Sequence, residues 1–292
     1  MPTFPILAAE ALAPTVTRLE VLAPLVARKW RPGQFVIVRI DDSGERIPLT
    51  IVDGSRATGS VVLVVQAVGR STKAIATLRR GDALADVLGP LGQPTEIAHF
   101  GTVACAAGGV GAAELLPVVR ALGAAGNRVL TVLGARTRDL LILEAELAGC
   151  SDRLAVTTDD GSWGRHGVVT APLREWLDSR PGLARVFAVG PLPMMRAVSE
   201  LTRPYGVKTL ASLNAIMVDG TGMCGGCRVS VDGRMRFACI DGPEFDAHEV
   251  DFDELVRRNR SYVNQERQAC ERAARTSGGT TAREAAAMTH AG

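Results

Sequence analysis

Four side chains in the last third of the chain have the types and spacing of a metal site. The run Asp219-Gly-Thr-Gly-Met-Cys224-Gly-Gly-Cys227, with Cys239 after eleven intervening residues, places three thiols and a carboxylate in a glycine-rich loop. Thiolates are the usual ligands of iron-sulfur clusters. A loop wrapped around such a cluster must bring backbone amides close to inorganic sulfur, and Gly220, Gly222, Gly225 and Gly226 carry no side chain to block that approach. The same donors could hold zinc, since Cys224 and Cys227 with Cys239 and either His248 or Asp219 would complete a tetrahedral set. Only one CxxC pair is present, however, and the glycine content exceeds what a zinc knuckle needs.

A second group of residues has the chemistry of a nucleotide site. Ala106-Ala-Gly108-Gly109-Val110-Gly111 follows an apolar strand candidate and opens a helix candidate, where glycines admit phosphates to the backbone and the helix N-terminus attracts their charge. A tight strand-to-helix turn would use the same glycines. Three further turns fall after strand candidates: Gly134-Ala-Arg136, Asp159-Asp160-Gly161-Ser-Trp163-Gly164 and Gly190-Pro-Leu-Pro-Met194-Met195. All then lie at the carboxyl edge of one sheet, which is where such sheets bind ligands. Arg136 could reach a ribose or an additional phosphate, though an arginine at a helix start is as often simply solvated.

A third group lies earlier, at Arg46-Ile-Pro48-Leu49-Thr50 and Gly69-Arg-Ser71-Thr72. An arginine, a hydroxyl and a glycine-led polar turn suit a pyrophosphate and the edge of a flat ring, while an ordinary strand end and turn would look similar.

These residues need elements to position them. From 1 to 98 the chain carries short β-rich runs, such as Gln34 to Ile40 and Gly59 to Gln66, separated by turn signals at Asp41-Asp-Ser-Gly44 and Asp53-Gly54. This pattern predicts an antiparallel barrel or sandwich. From 99 to 214, strand candidates at 102–106, 128–133, 154–158, 185–189 and 208–213 alternate with helix candidates at 112–123, 139–148, 170–178 and 192–203. That alternation predicts a doubly wound parallel sheet. The fold class expected is therefore a β-barrel plus an α/β domain, followed over 215–276 by a small cluster module with a hairpin at 228–237. The Ser, Gly, Thr and Ala rich stretch 277–292 is expected to be a flexible tail.

Composition restricts the functions available. With 292 residues and 47% hydrophobic content the chain can build more than one domain, and a formal net charge of +2 gives no reason to expect nucleic acid or an anionic membrane. No apolar run reaches the roughly 18 residues of a membrane span, and the N-terminus lacks a basic leader, so a cytoplasmic location is expected. Cys105, Cys150 and Cys270 are isolated and the other cysteines are crowded, unlike a disulfide framework. No Ser-His-Asp or Cys-His arrangement has a local signature, and no catalytic acid or base is assigned.

Taken together and in order, Arg31-Pro-Gly-Gln-Phe35, Arg46 to Thr50, Gly89-Pro-Leu-Gly92, Gly108 to Gly111 and Gly190 to Met195 resemble the ferredoxin-NADP reductase superfamily over residues 5 to 270. Within it, Asp159 to Gly167 and the loop from Asp219 to Cys239 are similar to the electron-transfer subunits of dihydroorotate dehydrogenase. They resemble more closely still the small subunits of NADH-dependent reduced ferredoxin:NADP oxidoreductase and sulfide dehydrogenase. In the dihydroorotate group a cysteine stands where this chain has Asp219, whereas those small subunits share the aspartate.

The resemblance implies FAD, a [2Fe-2S] cluster and a nicotinamide nucleotide, NAD(H) more than NADP(H). Arg46, Pro48, Leu49 and Thr50 would hold the flavin and its ribityl-phosphate arm, and Gly69, Ser71 and Thr72 its pyrophosphate. Gly108, Gly109, Val110, Gly111, Arg136, Asp160, Gly190 and Met194 would serve the nicotinamide nucleotide. Asp219, Cys224, Cys227 and Cys239 would ligate the cluster, with Cys150 or Cys270 as alternatives to Asp219. The implied function is a subunit passing electrons between NAD(P)H, FAD and the cluster, to or from a larger flavin and iron-sulfur partner that could in turn serve ferredoxin. The alternatives are a stand-alone reductase, a subunit of a dihydroorotate or sulfide dehydrogenase, and a zinc-stabilised nucleotide-binding module.

Overall fold

In the computed structural model of the chain, which describes residues 3–179 and 182–272, two seven-stranded sheets are joined by one short linker. The stretch 277–292 lies outside the described residues. The first sheet comprises β1 (Phe4–Ala13), β2 (Val16–Leu22), β3 (Phe35–Arg39), β4 (Ile47–Ser55), β5 (Ser60–Gln66), β6 (Ala83–Leu84) and β7 (Asp86–Leu91), with helices α1 (Pro24–Lys29) and α2 (Arg70–Ala76). Its antiparallel order is β6-β1-β2-β5-β4-β3-β7. Only Ala85 separates β6 from β7, and its amide donates to the Arg39 carbonyl at 2.9 Å, so one stretch of chain borders both ends of the sheet. The result is a nearly closed barrel with little free edge.

The run of valines in β5 shows how the barrel is attached to the rest. Val61, Leu63 and Val65 fill the barrel, while Val62 and Val64 point outward into a second core with the helix that follows the nucleotide turn. Burial on both faces explains an apolar run where a strand with one wet face would alternate. The expected turn at Asp53-Gly54 is instead part of β4, where the pairing with β5 shifts between Ile51 and Asp53. A Cβ on Gly54 would stand 2.2 Å from the Trp30 indole nitrogen. Glycine there serves a close approach inside a strand rather than a reversal.

The second sheet comprises β8 (Thr102–Gly108), β9 (Arg128–Ala135), β10 (Arg153–Thr158), β11 (Arg165–His166), β12 (Leu183–Val189) and β13 (Lys208–Ser212), joined at its edge by β16 (Glu244–Asp246). Helices α3 (Gly111–Ala124), α4 (Glu144–Cys150), α5 (Thr170–Asp178) and α6 (Leu192–Thr202) connect the parallel strands. The order β11-β10-β9-β8-β12-β13-β16 places β8 and β12 side by side, and the chain leaves them in opposite directions. A crevice is expected at the carboxyl ends of such a pair. Alternate residues of β8 enter two cores: Val103, Cys105 and Ala107 face α3, and Ala104 and Ala106 face the opposite layer.

From 215 onward the chain is stitched to both sheets. The hairpin β14 (Arg228–Val231) and β15 (Arg234–Phe237) forms as its sequence predicts, and β16 then pairs antiparallel with β13. Helix α7 (Phe252–Asn259), absent from the sequence reading, starts where the Asp251 carboxylate accepts from the Glu254 amide at 2.8 Å. Asp251-x-x-Glu254 before buried Phe252 and Leu255 was the available signal. No described helix is long and apolar enough to cross a membrane.

Candidate functional site

A cavity of about 740 Å³ opens at the carboxyl ends of β8, β9, β10 and β12. Gly108, Gly109, Val110, Gly111, Arg136, Gly190 and Met194 all line it. Its floor is glycine on glycine: a Cβ on Gly190 would meet the Gly108 backbone at 3.0 Å, and one on Gly111 would meet the Val189 carbonyl oxygen at 2.3 Å. Gly109 has a different reason for its type, a φ of +56° with nothing within 4 Å of a Cβ placed there, and its amide donates to the Gly134 carbonyl at 2.9 Å. The tight-turn reading accounts for Gly109, and the same turn lines the cavity. Asp160 faces away, accepting from the Ser162 amide at 3.0 Å and hydroxyl at 2.6 Å, and these bonds hold its carboxyl below the usual range. Asp159 lines the cavity instead.

The barrel supplies the opposite wall through Val16, Gln66 and Val68, which the sequence does not single out. Nor does it single out Glu114, in the first turn of α3. The residue is half-buried and keeps some surface on the cavity, with its carboxyl turned toward the Thr50 side of β4. Burial pushes that carboxyl up to about 7, and the Thr50 hydrogen bond opposes the shift in part.

Strand β4 distributes the Arg46 to Thr50 group by simple alternation. Leu49 points into the barrel core, so any contact it makes with a ligand comes from its backbone. Thr50 on the outer face reaches Glu114, and Pro48, about 7 Å away along the same face, lines a second groove of about 830 Å³. Arg46, Arg70, Cys224, Gly225 and Gly226 share that groove. One strand face thus runs from the nucleotide cavity to the cysteine loop. The expected polar turn at Gly69 is the start of α2: Thr72 Oγ1 accepts from the Gly69 amide at 2.9 Å, and the Ser71 hydroxyl donates to Glu45. Both hydroxyls are engaged in capping and tethering.

The cysteine loop presents its donors as two pairs. Asp219 Oδ2 accepts from the Cys224 amide at 2.9 Å, and Oδ1 accepts from the Thr221 amide at 2.9 Å; these bonds, that of Thr221 first, hold the carboxylate below its usual range. Cys227 and Cys239 are buried with their sulfurs 3.2 Å apart. The Gly226 amide points at Cys224 Sγ and the Cys239 amide at Cys227 Sγ, each at 3.4 Å. The glycines do more than clear space. Gly220 and Gly222 take positive φ, and a Cβ on Gly220 would strike Leu91 at 2.6 Å and Ile37 at 3.0 Å, which seats the loop on β3 and β7.

This arrangement fits a two-iron cluster better than one zinc ion. The intervals of four residues between Asp219 and Cys224, two between Cys224 and Cys227, and a distant fourth ligand match the spacing of plant-type [2Fe-2S] sites. Among the described residues no three His, Cys, Asp or Glu side chains converge as a single ion requires, whereas a two-iron centre divides its ligands between metals. Burial, followed by the adjacent Cys227, pushes the Cys239 thiol up to about 12, so the pair can be thiolate together only with a cation to compensate it. Cys150 is removed from the site, packed beside the α3 core with its thiol on the Glu146 carbonyl. His248 shares a 2.9 Å hydrogen bond with Thr202 Oγ1 at the edge of the sheet.

Comparison with known proteins agrees with both halves of the site. Residues 214–251 match the family described as the iron-sulfur cluster binding domain of dihydroorotate dehydrogenase B. The chain is 48% identical over 256 residues to a dihydroorotate dehydrogenase B (NAD(+)) electron transfer subunit homolog of Thermotoga maritima, covering 88% of this chain and 90% of that one. It is 32% identical to the corresponding electron transfer subunit of Desulforamulus reducens, over 84% of this chain and 96% of the relative. A chain in the structure of NADH-dependent reduced ferredoxin-NADP oxidoreductase, a protein studied for flavin-based electron bifurcation, superposes with a TM-score of 0.88 at 45% identity, covering 93% of this chain and 98% of that one. Phthalate dioxygenase reductase shares the fold at 18% identity, with a TM-score of 0.58 and coverage of 79% and 86%.

Proposed function

The chain belongs to the family of dihydroorotate dehydrogenase B electron-transfer subunits and their homologues, and from that premise we propose that it carries electrons between a nicotinamide nucleotide in the cavity and a [2Fe-2S] cluster in the cysteine loop, through FAD seated against β4. The observation that carries this reading is the outer face of β4, which sets Thr50 beside Glu114 of the cavity wall and Pro48 in the groove that holds Cys224. When bound, a flavin accepts a hydride and releases electrons singly, which is the conversion needed between a nicotinamide and a one-electron cluster.

The protein groups mainly position these partners. Gly108 to Gly111 and the start of α3 receive nucleotide phosphates, while Gly190 and Met194 set the depth of the cavity. Asn214 Nδ2 donates to the Gly190 carbonyl at 3.0 Å and fixes that turn. Arg46 and Arg70 place positive charge on the groove wall, where a phosphate-bearing arm would lie. Asp219 and Cys224 would hold one iron, and Cys227 and Cys239 the other. The nucleotide is NAD(H), in keeping with the NAD(+) in the relatives' names; Arg136 is the cationic side chain lining the cavity, so NADPH is the informative competitor.

The chain works as an oxidoreductase subunit with a larger flavin and iron-sulfur partner, in the cytoplasm, where a cluster built on free thiols persists. The partner is expected to cover the 215–245 surface, where Met223, 88% exposed, and Val218 stand beside Cys224. The experiment is to purify the chain anaerobically and determine FAD, iron and acid-labile sulfide, then record visible spectra with NADH. One FAD and two irons per chain, with both chromophores bleached, supports the reading; a colourless zinc protein overturns it.

A further inference from the structure

The last turn of α7 reaches both halves of the site. Arg258 Nη2 donates to the Gly226 carbonyl of the cysteine loop at 3.2 Å, and Asn259 Nδ2 donates to the Asn214 carbonyl at 2.7 Å. Asn214 in turn donates its own side-chain amide to the Gly190 carbonyl at 3.0 Å. Two amides in series thus run from the end of α7 to the turn whose backbone stands against Gly108 in the floor of the nucleotide cavity. Asn214 lines that cavity, whereas Asn259 lines the groove that holds Arg46 and Pro48.

The Asn259 amide has one orientation open to it. The Asn214 carbonyl can only accept, so the amide nitrogen must face it and Oδ1 must face elsewhere. That oxygen is enclosed by protein and has no hydrogen-bond partner among the described residues. Native structures leave few enclosed acceptors without a donor, because the group has given up water for nothing. An asparagine at the end of a helix is ordinarily a cap, but this side chain bonds a carbonyl 45 residues earlier. Its helix is a firm base: Arg196 of α6 pairs with Asp253 at 2.7 Å, and the Ser230 hydroxyl of β14 donates to Glu254.

We propose that Asn259 joins the two ligand sites, positioning the nucleotide turn through Asn214 and accepting, through Oδ1, a hydrogen bond from the ligand of the groove. The proposal rests on the reading that FAD occupies that groove, and the donor is an O–H or N–H group of the cofactor. With the groove filled, both ends of the amide are bonded, and Asn214 holds Gly190 at the depth that the nicotinamide nucleotide requires. Asn259 does not line the nucleotide cavity, so toward the nucleotide it is a positioning residue. Neither proton nor electron passes through it.

The test uses the full chain with its cluster. FAD affinity is read from the fluorescence of released flavin, and NAD+ affinity from titration calorimetry at saturating FAD, which leaves the chromophores oxidised. Asn214→Ala, which keeps the carbonyl at 214, should weaken NAD+ about tenfold and leave FAD affinity as in the wild type. Asn259→Ala should weaken NAD+ by a similar factor and FAD at least about fivefold. One ladder carries both NAD+ effects, so the double variant should bind NAD+ within about twofold of the weaker single variant. Arg257→Ala, exposed on the same helical turn, should change neither affinity. A residue that only stabilised α7 would lower the urea midpoint and leave the affinities of the folded chain alone. NAD+ affinity in Asn259→Ala within about twofold of the wild type, or single losses that multiply in the double variant, would therefore overturn the positioning role. Unchanged FAD affinity in Asn259→Ala would overturn the groove contact. A wild-type chain that binds no FAD or no NAD+ would sink the functional reading itself.

Discussion

The nucleotide cavity and the cysteine loop are built in opposite ways. The cavity stands on the ends of buried parallel strands, with Ala106, Ala107, Val189 and the glycines between them packed backbone to backbone. The loop has no regular structure from 213 to 227, and its polar groups are satisfied by one another: Asp219 by the Thr221 and Cys224 amides, Cys227 by Cys239. A cavity made by the core keeps its shape whatever occupies it. A loop whose buried thiols need a compensating cation takes its order from the metal.

Breaking the loop should leave the cavity intact. Cys227→Ala removes a ligand buried in the larger core and should abolish the cluster, with iron content falling to near zero, while NADH affinity changes by less than about threefold because the two sites share no side chain. Titration calorimetry alongside iron analysis checks both halves. Asp219→Ala should have a milder effect on the same centre: the three thiolates remain, but replacing an oxygen ligand should change the visible spectrum and midpoint potential. An unchanged spectrum would remove Asp219 from the ligand set.

Breaking the cavity should destabilise the whole fold. In Gly111→Ala the new methyl group meets the Val189 carbonyl at 2.3 Å, where backbone cannot yield, and should cost about 1–3 kcal/mol by urea denaturation. The smallest effect is expected at the seam between barrel and cluster module, where Glu244 accepts from Thr95 Oγ1 at 2.6 Å and burial pushes its carboxyl up to about 7. The folded state favours the protonated acid. Its contribution is full below the unfolded carboxylate range and is lost as pH rises through about 7. Stability should therefore fall between about pH 4.5 and pH 7, and Glu244→Gln should remove on the order of 1 kcal/mol of that fall. An identical pH dependence in the variant would contradict this.

The same contrast governs what was legible in the sequence. Strand, glycine turn and helix recur locally, so β8, β9, β10, β12 and β13 with α3, α5 and α6 stand within a few residues of the expected spans, whereas β11 was not expected and α4 begins at Glu144, five residues after the expected start. The thiol spacing is equally local. What pairs at a distance was not legible: Glu114 was not singled out, because nothing near it in the sequence points to Thr50, sixty-four residues earlier. Asp53-Gly54 read as a turn because the Trp30 ring that requires the glycine comes from another element. Gly69 to Thr72 read as a polar turn because capping hydroxyls and turn hydroxyls are the same residue types.

The central claim is that the cavity and the loop communicate through a flavin on β4. It is tested most directly by removing FAD from the cluster-loaded chain under anaerobic conditions, adding NADH, and following cluster absorbance before and after FAD is restored. The account predicts that the cluster stays oxidised without FAD and bleaches once FAD returns. Bleaching of the cluster by NADH in the flavin-free chain, at the rate seen with FAD, would contradict it.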